Sequence, residues 1–317
     1  MPAYVVATQH SVQDIIDLTE SVCRSRVRSI NSDTVGGSNA VYFVSLANGL
    51  ERVVRVSPAE WHESVAIQVW AMRACADRGV PVPDVLAYDT SRVAFPEPYL
   101  IMPRLPGATA AGITWTPTQR RAILEQLGVH LRTIHGVALS GFGPLIFDNA
   151  APIGTAVSQH QYALSQFEDR ISALPKRAID PSRVNDLRQL LMHHRAAFEI
   201  SGASLIHGDY QLKNVLVAGD TVTGILDFEN AVAGDPAWDF WALFARSAEP
   251  ERDLVALRRG YGATSSDTPS FFQRLFLYGI LGSLELLWWH YRLHDAVGIA
   301  GIAAQLQRLE SALNRLG

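Results

Sequence analysis

The chain has 317 residues, of which 48% are hydrophobic and 18% are charged, so it has enough apolar material for two cores or one large one. A formal net charge of −4 and a sequence pI near 6.2 argue against a nucleic-acid partner, which would need a basic surface. Cys23 and Cys75 are the only cysteines, and this excludes a disulfide framework and makes a zinc cluster unexpected.

Neither the N-terminal segment nor the most apolar stretch suggests export or membrane insertion. The segment MPAYVVATQHSVQDIIDL lacks the basic start and the uninterrupted apolar core of a signal peptide. The most apolar stretch, Leu275 to Trp289, is interrupted by polar residues and glycines and is shorter than the roughly 20 residues that a membrane span needs. We therefore predict a cytoplasmic protein with no membrane partner, and a buried helix over this stretch.

The first predicted element is an antiparallel hairpin within residues 35–56. Two runs typical of β-strands are joined there by Asn48-Gly49, the dipeptide that favours a type I′ turn. Ser57-Pro58-Ala59-Glu60 then combines an N-cap serine, a proline at the first helical position and a glutamate at N3. We therefore predict a capped helix that starts there and ends before Gly79.

A strand over Tyr99 to Met102 precedes the predicted boundary between two lobes. Pro103 to Gly107 contains two prolines, and we expect neither proline to join a regular ladder of hydrogen bonds. This segment is the predicted hinge, residues 103–107, between an N-terminal lobe of residues 1–102 and a C-terminal lobe of residues 108–317. Thr116-Pro117 then starts a helix that ends near Gly136, and its inward face is Ile123, Leu124, Leu127, Leu131 and Ile134.

The densest group of polar residues in an apolar setting lies between His207 and Asn230. HGDYQLKN is followed by two short predicted strands around a Gly219-Asp220 turn and then by LDFEN. Asn214 precedes the first strand and Asp227 ends the second. Magnesium prefers oxygen ligands and retains several waters, so the Asn214 amide and the Asp227 carboxylate suit it. Asp209 lies outside this pair and is suited to accept the proton of an attacking hydroxyl.

HGDYQLKNVLV and ILDFENAVAGDPAWDF together resemble the aminoglycoside phosphotransferase family, relatives of the eukaryotic protein kinases. The family pattern is His-Gly-Asp, four variable residues, Asn, a strand-borne Asp, and later Gly-Asp-Pro with a further Asp. Every position of this pattern is filled, by His207, Gly208, Asp209, Asn214, Asp227, Gly234, Asp235, Pro236 and Asp239. The resemblance implies an α+β, two-lobed, protein-kinase-like fold with a small N-terminal antiparallel sheet plus a helix and a larger, mainly helical C-terminal lobe.

The same resemblance assigns nucleotide-binding residues in the first lobe. Gly36, Gly37 and Ser38 would lie over the phosphates. Glu63 would pair with a cation on a strand, and Glu60, which the capping box already explains, is the alternative partner one turn away. That cation is often lysine in the family, whereas Arg55 stands here; an arginine is always charged and binds phosphate oxygens bidentately. In the hinge, the carbonyl of Pro103 and the N–H of Leu105 would bind the purine, and the missing N–H of the proline is not needed.

Several neighbouring residues have structural interpretations. His207 is expected to support the loop rather than to transfer protons, and Asp239 is expected to brace the backbone of the same loop. Asp235 precedes Pro236 as an ordinary N-cap. Glu285 lies in an apolar helix and should have a partner, either a buried arginine or the ammonium group of a ligand.

The predicted activity is transfer of the γ-phosphate of ATP or GTP, with Mg²⁺, to a hydroxyl of a small polar molecule. The resemblance makes an aminoglycoside-type antibiotic, and therefore resistance, the first guess, and SGFGP at residues 140–144 faintly resembles hygromycin phosphotransferases. Similar motifs occur in kinases of choline, homoserine, fructosamine and macrolides, so a metabolic kinase is an alternative. A catalytically silent nucleotide-binding module is another. A protein kinase is disfavoured, because the segment between Asp227 and Gly234 is too short for an activation loop.

Overall fold

The predicted hairpin lies at the centre of a five-stranded antiparallel sheet in a computed structural model, which describes residues 10–33, 39–148, 151–262 and 269–316. The predicted phosphate-loop residues Gly36, Gly37 and Ser38 lie outside the described residues. Gly49 has a φ of +83°, which glycine adopts without steric cost, but the φ of Asn48 is not positive. The hairpin therefore forms at the predicted place, but its turn is not the predicted type I′, which needs both central residues in the left-handed region.

The described residues form two compact units. The first, here called the sheet unit, contains residues up to Thr116 together with Leu212–Ala231. The second, here called the helical unit, contains Pro117–Gln211 and the residues from Val232 onward. The predicted division into lobes at residues 103–107 stays a prediction.

The sheet unit consists of two antiparallel sheets and two helices. Its first sheet has the strand order β1-β2-β3-β5-β4, and its second has the order β12-β11-β6. The helices are α1 (Val12–Cys23) and α2 (His62–Ala76), and the strands are β1 (Val27–Asp33), β2 (Ala40–Leu46), β3 (Glu51–Val56), β4 (Ala87–Asp89), β5 (Tyr99–Pro103), β6 (Ala108–Thr109), β11 (Val215–Ala218) and β12 (Thr221–Ile225).

Alternation along β2 places the core of the sheet unit on one face of the first sheet. Buried and half-buried residues alternate along β2, as expected for a strand with one covered face. Helix α1 covers that face with Ile15 and Leu18. This helix starts at a capping box formed by Ser11 and Asp14.

Two sequence expectations for this unit are wrong in detail. Ser57 does not cap a helix: a 3₁₀ turn begins at Ala59 and α2 begins only at His62. The buried Ser57 hydroxyl instead donates to Oδ1 of Asn39 at 2.6 Å. Pro103 does join a ladder, as the last residue of β5 opposite Arg52. A proline is tolerated at the end of a strand, where its missing N–H interrupts no further ladder bond.

The helical unit combines seven helices and five strands in the described part of the chain. Its sheet has the order β7-β10-β13-β8-β9. The helices are α3 (Pro117–His135), α4 (Gln159–Ala173), α5 (Pro181–His193), α6 (Ala237–Phe244), α7 (Pro250–Tyr261), α8 (Pro269–Arg292) and α9 (Ala296–Leu316), and the strands are β7 (Ala138–Leu139), β8 (Phe142–Asp148), β9 (Ala151–Ala156), β10 (Ala203–Ile206) and β13 (Val232–Gly234).

The predicted inward face of α3 is confirmed, since all five of its residues are buried. Helix α3 packs against α7 so closely that two glycines are required. A Cβ on Gly260 would lie 1.8 Å from the carbonyl oxygen of Glu125, and one on Gly128 would lie 2.1 Å from that of Leu257. The absence of side chains at these two positions therefore sets the separation of the helices.

The predicted buried helix over Leu275 to Trp289 is confirmed as part of α8, which packs against α4, α6 and α9. In the described parts of the chain, α8 and the other helices fall short of the combined length and hydropathy that crossing a bilayer requires.

Candidate active site

Asn214 and Asp227 lie at the same end of the hairpin formed by β11 and β12. Val215 is paired with Ile225, and the N–H of Leu226 donates to the carbonyl of Asn214 at 2.8 Å. Asn214 therefore immediately precedes the paired region, and Asp227 follows it by two residues. The predicted turn around Gly219 closes the hairpin, and an irregularity between Leu216 and Val217 shifts the pairing by one residue before this end is reached.

Asp227 has an uncommon backbone conformation. Its φ of +70° and ψ of 64° are left-handed, which few residues other than glycine adopt, although aspartate and asparagine tolerate it. A 3₁₀ turn, Phe228–Asn230, follows directly. The Asp227 side chain is 28% exposed, so its carboxylate is open to solvent on one side. Such backbone conformations are concentrated at functional sites in proteins.

Arg55 on β3 pairs with two carboxylates of this segment. Its Nη1 donates to Oδ1 of Asp227 at 2.9 Å, and its Nη2 donates to Oε2 of Glu229. The arginine is buried, with 8% of its surface exposed. Burial lowers the pKa of the Arg55 guanidinium, but the two carboxylates outweigh this effect and hold the pKa above its ordinary value.

The structure does not bring Glu63 to Arg55. Glu63 is exposed in the first turn of α2, whose buried face begins at Val65. Two residues of an α-helix correspond to about 200° of rotation, so Glu63 points away from that face. The predicted acidic partner of Arg55 on α2 is thus replaced by Asp227 and Glu229, two residues apart in the LDFEN segment.

Asn39 and Ser57 complete this network, and neither was assigned to the site from the sequence. Nδ2 of Asn39 donates to Oε2 of Glu229 at 2.7 Å, and the Ser57 hydroxyl donates to Oδ1 of Asn39. The one sequence signal for Glu229 is that it is a second carboxylate two residues after Asp227. No local pattern points to Asn39, because its contact with Glu229 spans 190 positions.

The predicted hinge residues Pro103 and Leu105 lie at the end of β5 and just after it. Leu105 is half-buried, and its side chain packs near Gly224 of β12. The binding of a purine by their backbone groups stays a prediction.

In the helical unit, Asp209 lies in the loop that follows β10, and the carboxylate of Asp239 binds the backbone of this loop. Oδ2 of Asp239 accepts the N–H of His207 at 2.8 Å, and Oδ1 accepts the N–H of Gly208 at 2.9 Å. The N–H of Asp209 donates to Nδ1 of His207 at 3.3 Å. Asp239 and His207 thus have the supporting roles that the sequence analysis expects of them.

A buried chain of hydrogen bonds lies behind this loop. His135 Nε2 is 3.0 Å from Oδ2 of Asp239, and His135 Nδ1 is 3.1 Å from the hydroxyl of Tyr261. Because a carboxylate only accepts, the N–H at Nε2 donates to Asp239. Burial, together with the charges of Asp235 and Asp239, raises the pKa of Tyr261 to about 12. The tyrosine therefore remains a donor at neutral pH.

The carboxylate of Asp209 is half-buried and is oriented by its neighbour Gln211. Nε2 of Gln211 donates to Oδ1 of Asp209. The backbone bonds to Asp239 and His207 fix the loop, and Gln211 fixes the side chain. This division leaves the Asp209 carboxylate in a defined orientation, as a proton acceptor requires.

Asp235 is fully engaged in structural contacts. Its carboxylate accepts the N–H of Ala237 at 3.0 Å, at the start of α6, and the Tyr278 hydroxyl at 3.1 Å, and it lies 2.7 Å from Nε of Arg274. Burial raises the pKa of the Asp235 carboxyl, against the opposing effect of Arg274. The N-cap position of α6 is Pro236, so the predicted N-cap role of Asp235 is wrong by one residue, although its carboxylate still binds the N–H of Ala237.

Glu285 has the arginine partner that was one of its two predicted alternatives. Its Oε2 lies 2.9 Å from Nη2 of Arg170 on α4. The Arg170 guanidinium stacks 5.3 Å from the centre of the Trp238 ring, and the Trp238 indole donates to the carbonyl of Gly208 at 3.2 Å. This ion pair therefore adjoins the loop that carries Asp209.

The sequence model of the phosphotransferase enzyme family, APH, matches residues 29–272 of the chain. The chain belongs to this family. The match includes every residue of the Arg55 network and of the Asp209 loop described above. It ends four residues into α8, so most of α8 and all of α9 lie beyond it.

Solved structures of phosphotransferases and kinases show the same fold. The chain is 19% identical to a thermostable mutant of the aminoglycoside phosphotransferase APH(4)-Ia in its apo form, with a TM-score of 0.71 over 93% of this chain and 97% of that one. It is 17% identical to a putative fructosamine-3-kinase from Thermobifida fusca, with a TM-score of 0.66 over 95% of this chain and 100% of that one. It is 18% identical to the macrolide 2'-phosphotransferase MphH from Brachybacterium faecium, with a TM-score of 0.61 over 93% of this chain and 98% of that one. The fold is therefore the α+β, protein-kinase-like fold that the sequence predicts.

A curated relative is the Mus musculus protein "Acyl-CoA dehydrogenase family member 10". The two sequences are 26% identical over 216 residues, which are 64% of this chain and 19% of that protein. The chain thus spans about a fifth of the length of this relative.

Proposed function

We propose that this phosphotransferase is a kinase of small molecules, which transfers the γ-phosphate of ATP to a hydroxyl group. The observation that supports this most strongly is the buried Arg55, paired with Asp227 at the end of the hairpin that also positions Asn214. An arginine, a carboxylate and an amide oxygen are the groups that bind a nucleotide triphosphate and its metal ion.

The residues around Asp227 fit a magnesium ion. Asn214 and Asp227 offer one amide oxygen and one carboxylate, and Asp227 already faces a positive charge through Arg55. Both are the hard oxygen ligands that magnesium takes together with phosphate oxygens and water. When bound, magnesium would neutralise part of the charge on the phosphates. Asn214 and Asp227 would hold it, and Arg55 would steady the phosphates.

Asp209 is the proposed acceptor of the proton from the attacking hydroxyl. Its loop is tied to Asp239 through two backbone N–H groups, and its carboxylate is oriented by Gln211. A carboxylate held in this way can align the hydroxyl and take its proton as the bond to phosphorus forms. The leaving group is the nucleoside diphosphate.

ATP is the first donor to test, with GTP as the alternative. Structures of the similar APH(4)-Ia contain hygromycin B together with ADP or AMP-PNP. An aminoglycoside-type antibiotic, with hygromycin B first, is accordingly the proposed acceptor, and this would give the protein a role in resistance. Fructosamines, macrolides, choline and homoserine are the alternative acceptors. A cytoplasmic location is part of the same proposal.

The proposal is tested by incubating the purified protein with magnesium, ATP or GTP and each of these acceptors, and by detecting the phosphorylated product by mass spectrometry. We expect one acceptor to yield a product that disappears when EDTA is added and that forms about 10²-fold more slowly in Asp209→Asn. If the protein binds nucleotide but forms no product with any acceptor, the result would favour the alternative of a catalytically silent nucleotide-binding module. Absence of nucleotide binding would overturn the proposed function.

A further inference from the structure

We propose that Glu229 is a positioning residue for nucleotide binding, because it holds the Arg55 guanidinium in the orientation that the phosphates require. This inference rests on the proposed function and adds a residue to its site. It also moves the acidic partner of the strand cation from helix α2 to the segment that carries the metal ligand Asp227.

The geometry of arginine explains why two carboxylates are present. A guanidinium is planar and presents its N–H groups as a fixed fork, so two acceptors in different places fix its orientation as well as its position. In Arg55, Nη1 bonds to Asp227 and Nη2 bonds to Glu229. If Asp227 acted alone, the guanidinium would be free to rotate about a single contact.

The backbone after Asp227 brings the second carboxylate to the same arginine. The left-handed conformation of Asp227 leads into the 3₁₀ turn Phe228–Asn230, and the fully buried Phe228 anchors that turn. Asp227 and Glu229, on either side of Phe228, both contact Arg55. Helix α2 also packs against this turn, but its only acidic residue, Glu63, is exposed.

Glu229 also connects Arg55 with the segment that follows the predicted phosphate loop. Asn39 is the first described residue after that loop, and its side chain donates to Glu229 while accepting from the buried Ser57. Glu229 is therefore the common acceptor for β3 and for the beginning of β2. A single carboxylate thus links two of the segments that are predicted to contact the nucleotide.

Loss of the charge on Glu229 should weaken nucleotide binding more than it slows the chemical step. Arg55 is expected to contact the phosphates both before and during transfer, and an interaction of equal strength in both states affects KM rather than kcat. In Glu229→Gln the amide still fills the space, but Nη2 now donates to a neutral oxygen, so the ion pair with Arg55 is lost. We expect KM for ATP to rise about tenfold and kcat to change by less than about threefold.

The experiment compares three glutamate-to-glutamine variants of the full chain. Glu229→Gln tests the proposal, Glu63→Gln tests the alternative partner on α2, and Glu60→Gln is a matched control on the exposed turn before α2. ADP affinity is measured by calorimetry with magnesium present, next to KM and kcat for ATP. We expect weaker ADP binding in Glu229→Gln only, and partial recovery in Glu229→Asp.

A second measurement separates positioning from a contribution to stability alone. If Glu229 acts through Arg55, its substitution in an Arg55→Lys background should have a smaller effect than in the wild type, because lysine lacks the fork. Equal effects in both backgrounds, or a lower unfolding temperature with unchanged ADP affinity, would overturn the inference. So would weaker binding in Glu63→Gln with normal binding in Glu229→Gln. Failure of the wild type itself to bind ADP would instead overturn the proposed function.

Discussion

The two units hold their key aspartates by different means. In the sheet unit, Asp227 is half-exposed and is held by the positive charge of Arg55 and by a left-handed backbone. In the helical unit, Asp239 is fully buried and is satisfied by two backbone N–H groups and a histidine. The Asp227 carboxylate can therefore bind a second cation beside Arg55. The Asp239 carboxylate cannot, because its oxygens already bind the loop backbone and His135. Substitutions in the two units should therefore fail in different ways.

The largest expected effect comes from removing the charge of Asp227. We choose Asp227→Asn because asparagine tolerates the left-handed conformation, whereas alanine adopts it at a higher cost. Magnesium-dependent turnover should fall by about 10³-fold, since both the metal and Arg55 lose a carboxylate. Steady-state kinetics with a magnesium titration measures this. Wild-type turnover in a folded Asp227→Asn would contradict the assignment.

Asp209→Asn should reduce turnover by about 10²-fold while leaving ATP affinity close to that of the wild type. Asparagine preserves the size of the side chain but cannot accept the hydroxyl proton. The comparison with Asp227→Asn is informative, because only the latter variant should also change the magnesium dependence. Equal loss of nucleotide affinity in both variants would show that the two aspartates do not have separate roles.

Asp239→Asn should act mainly on stability. Its carboxylate accepts the N–H groups of His207 and Gly208 and faces His135, and an asparagine has one acceptor oxygen and an amide that cannot accept. Leaving a buried donor unsatisfied costs about 1–3 kcal/mol, so the free energy of unfolding should fall by about that amount. Urea denaturation measures it. An unchanged unfolding midpoint would contradict the bracing role.

A smaller and purely steric effect is expected between α3 and α7. In Gly260→Ala the new methyl group meets the carbonyl of Glu125, and such overpacking costs about 1–3 kcal/mol. Gly301→Ala is the matched control, because it lies in helix α9 with nothing within 4 Å of the added Cβ. Alanine is the better helix former, so this control should be neutral or slightly stabilising. Thermal unfolding of the two variants tests the difference, and equal unfolding temperatures would contradict the close packing.

The sequence predicted the features that depend on neighbouring residues or on a filled family pattern. The Asn48-Gly49 hairpin, the buried face of α3 and the bracing by Asp239 all follow from short-range rules or from the family pattern. The roles of Asp209, Asn214 and Asp227 in catalysis stay predictions.

The features that were missed depend on contacts between distant parts of the chain. Arg55 and Glu229 are 174 positions apart, and no local spacing reveals their pairing. Ser57 has every local feature of an N-cap, but its hydroxyl is engaged by Asn39 and the helix starts later. Tertiary hydrogen bonds thus replaced the local preference at both places.

Magnesium-dependent binding of ATP, measured by calorimetry on the wild type and on Asp227→Asn, is the most direct test of the account. The wild type should bind ATP more tightly when magnesium is present, and Asp227→Asn should lose this dependence. ATP affinity that is the same with and without magnesium in the wild type, or no ATP binding at all, would contradict it.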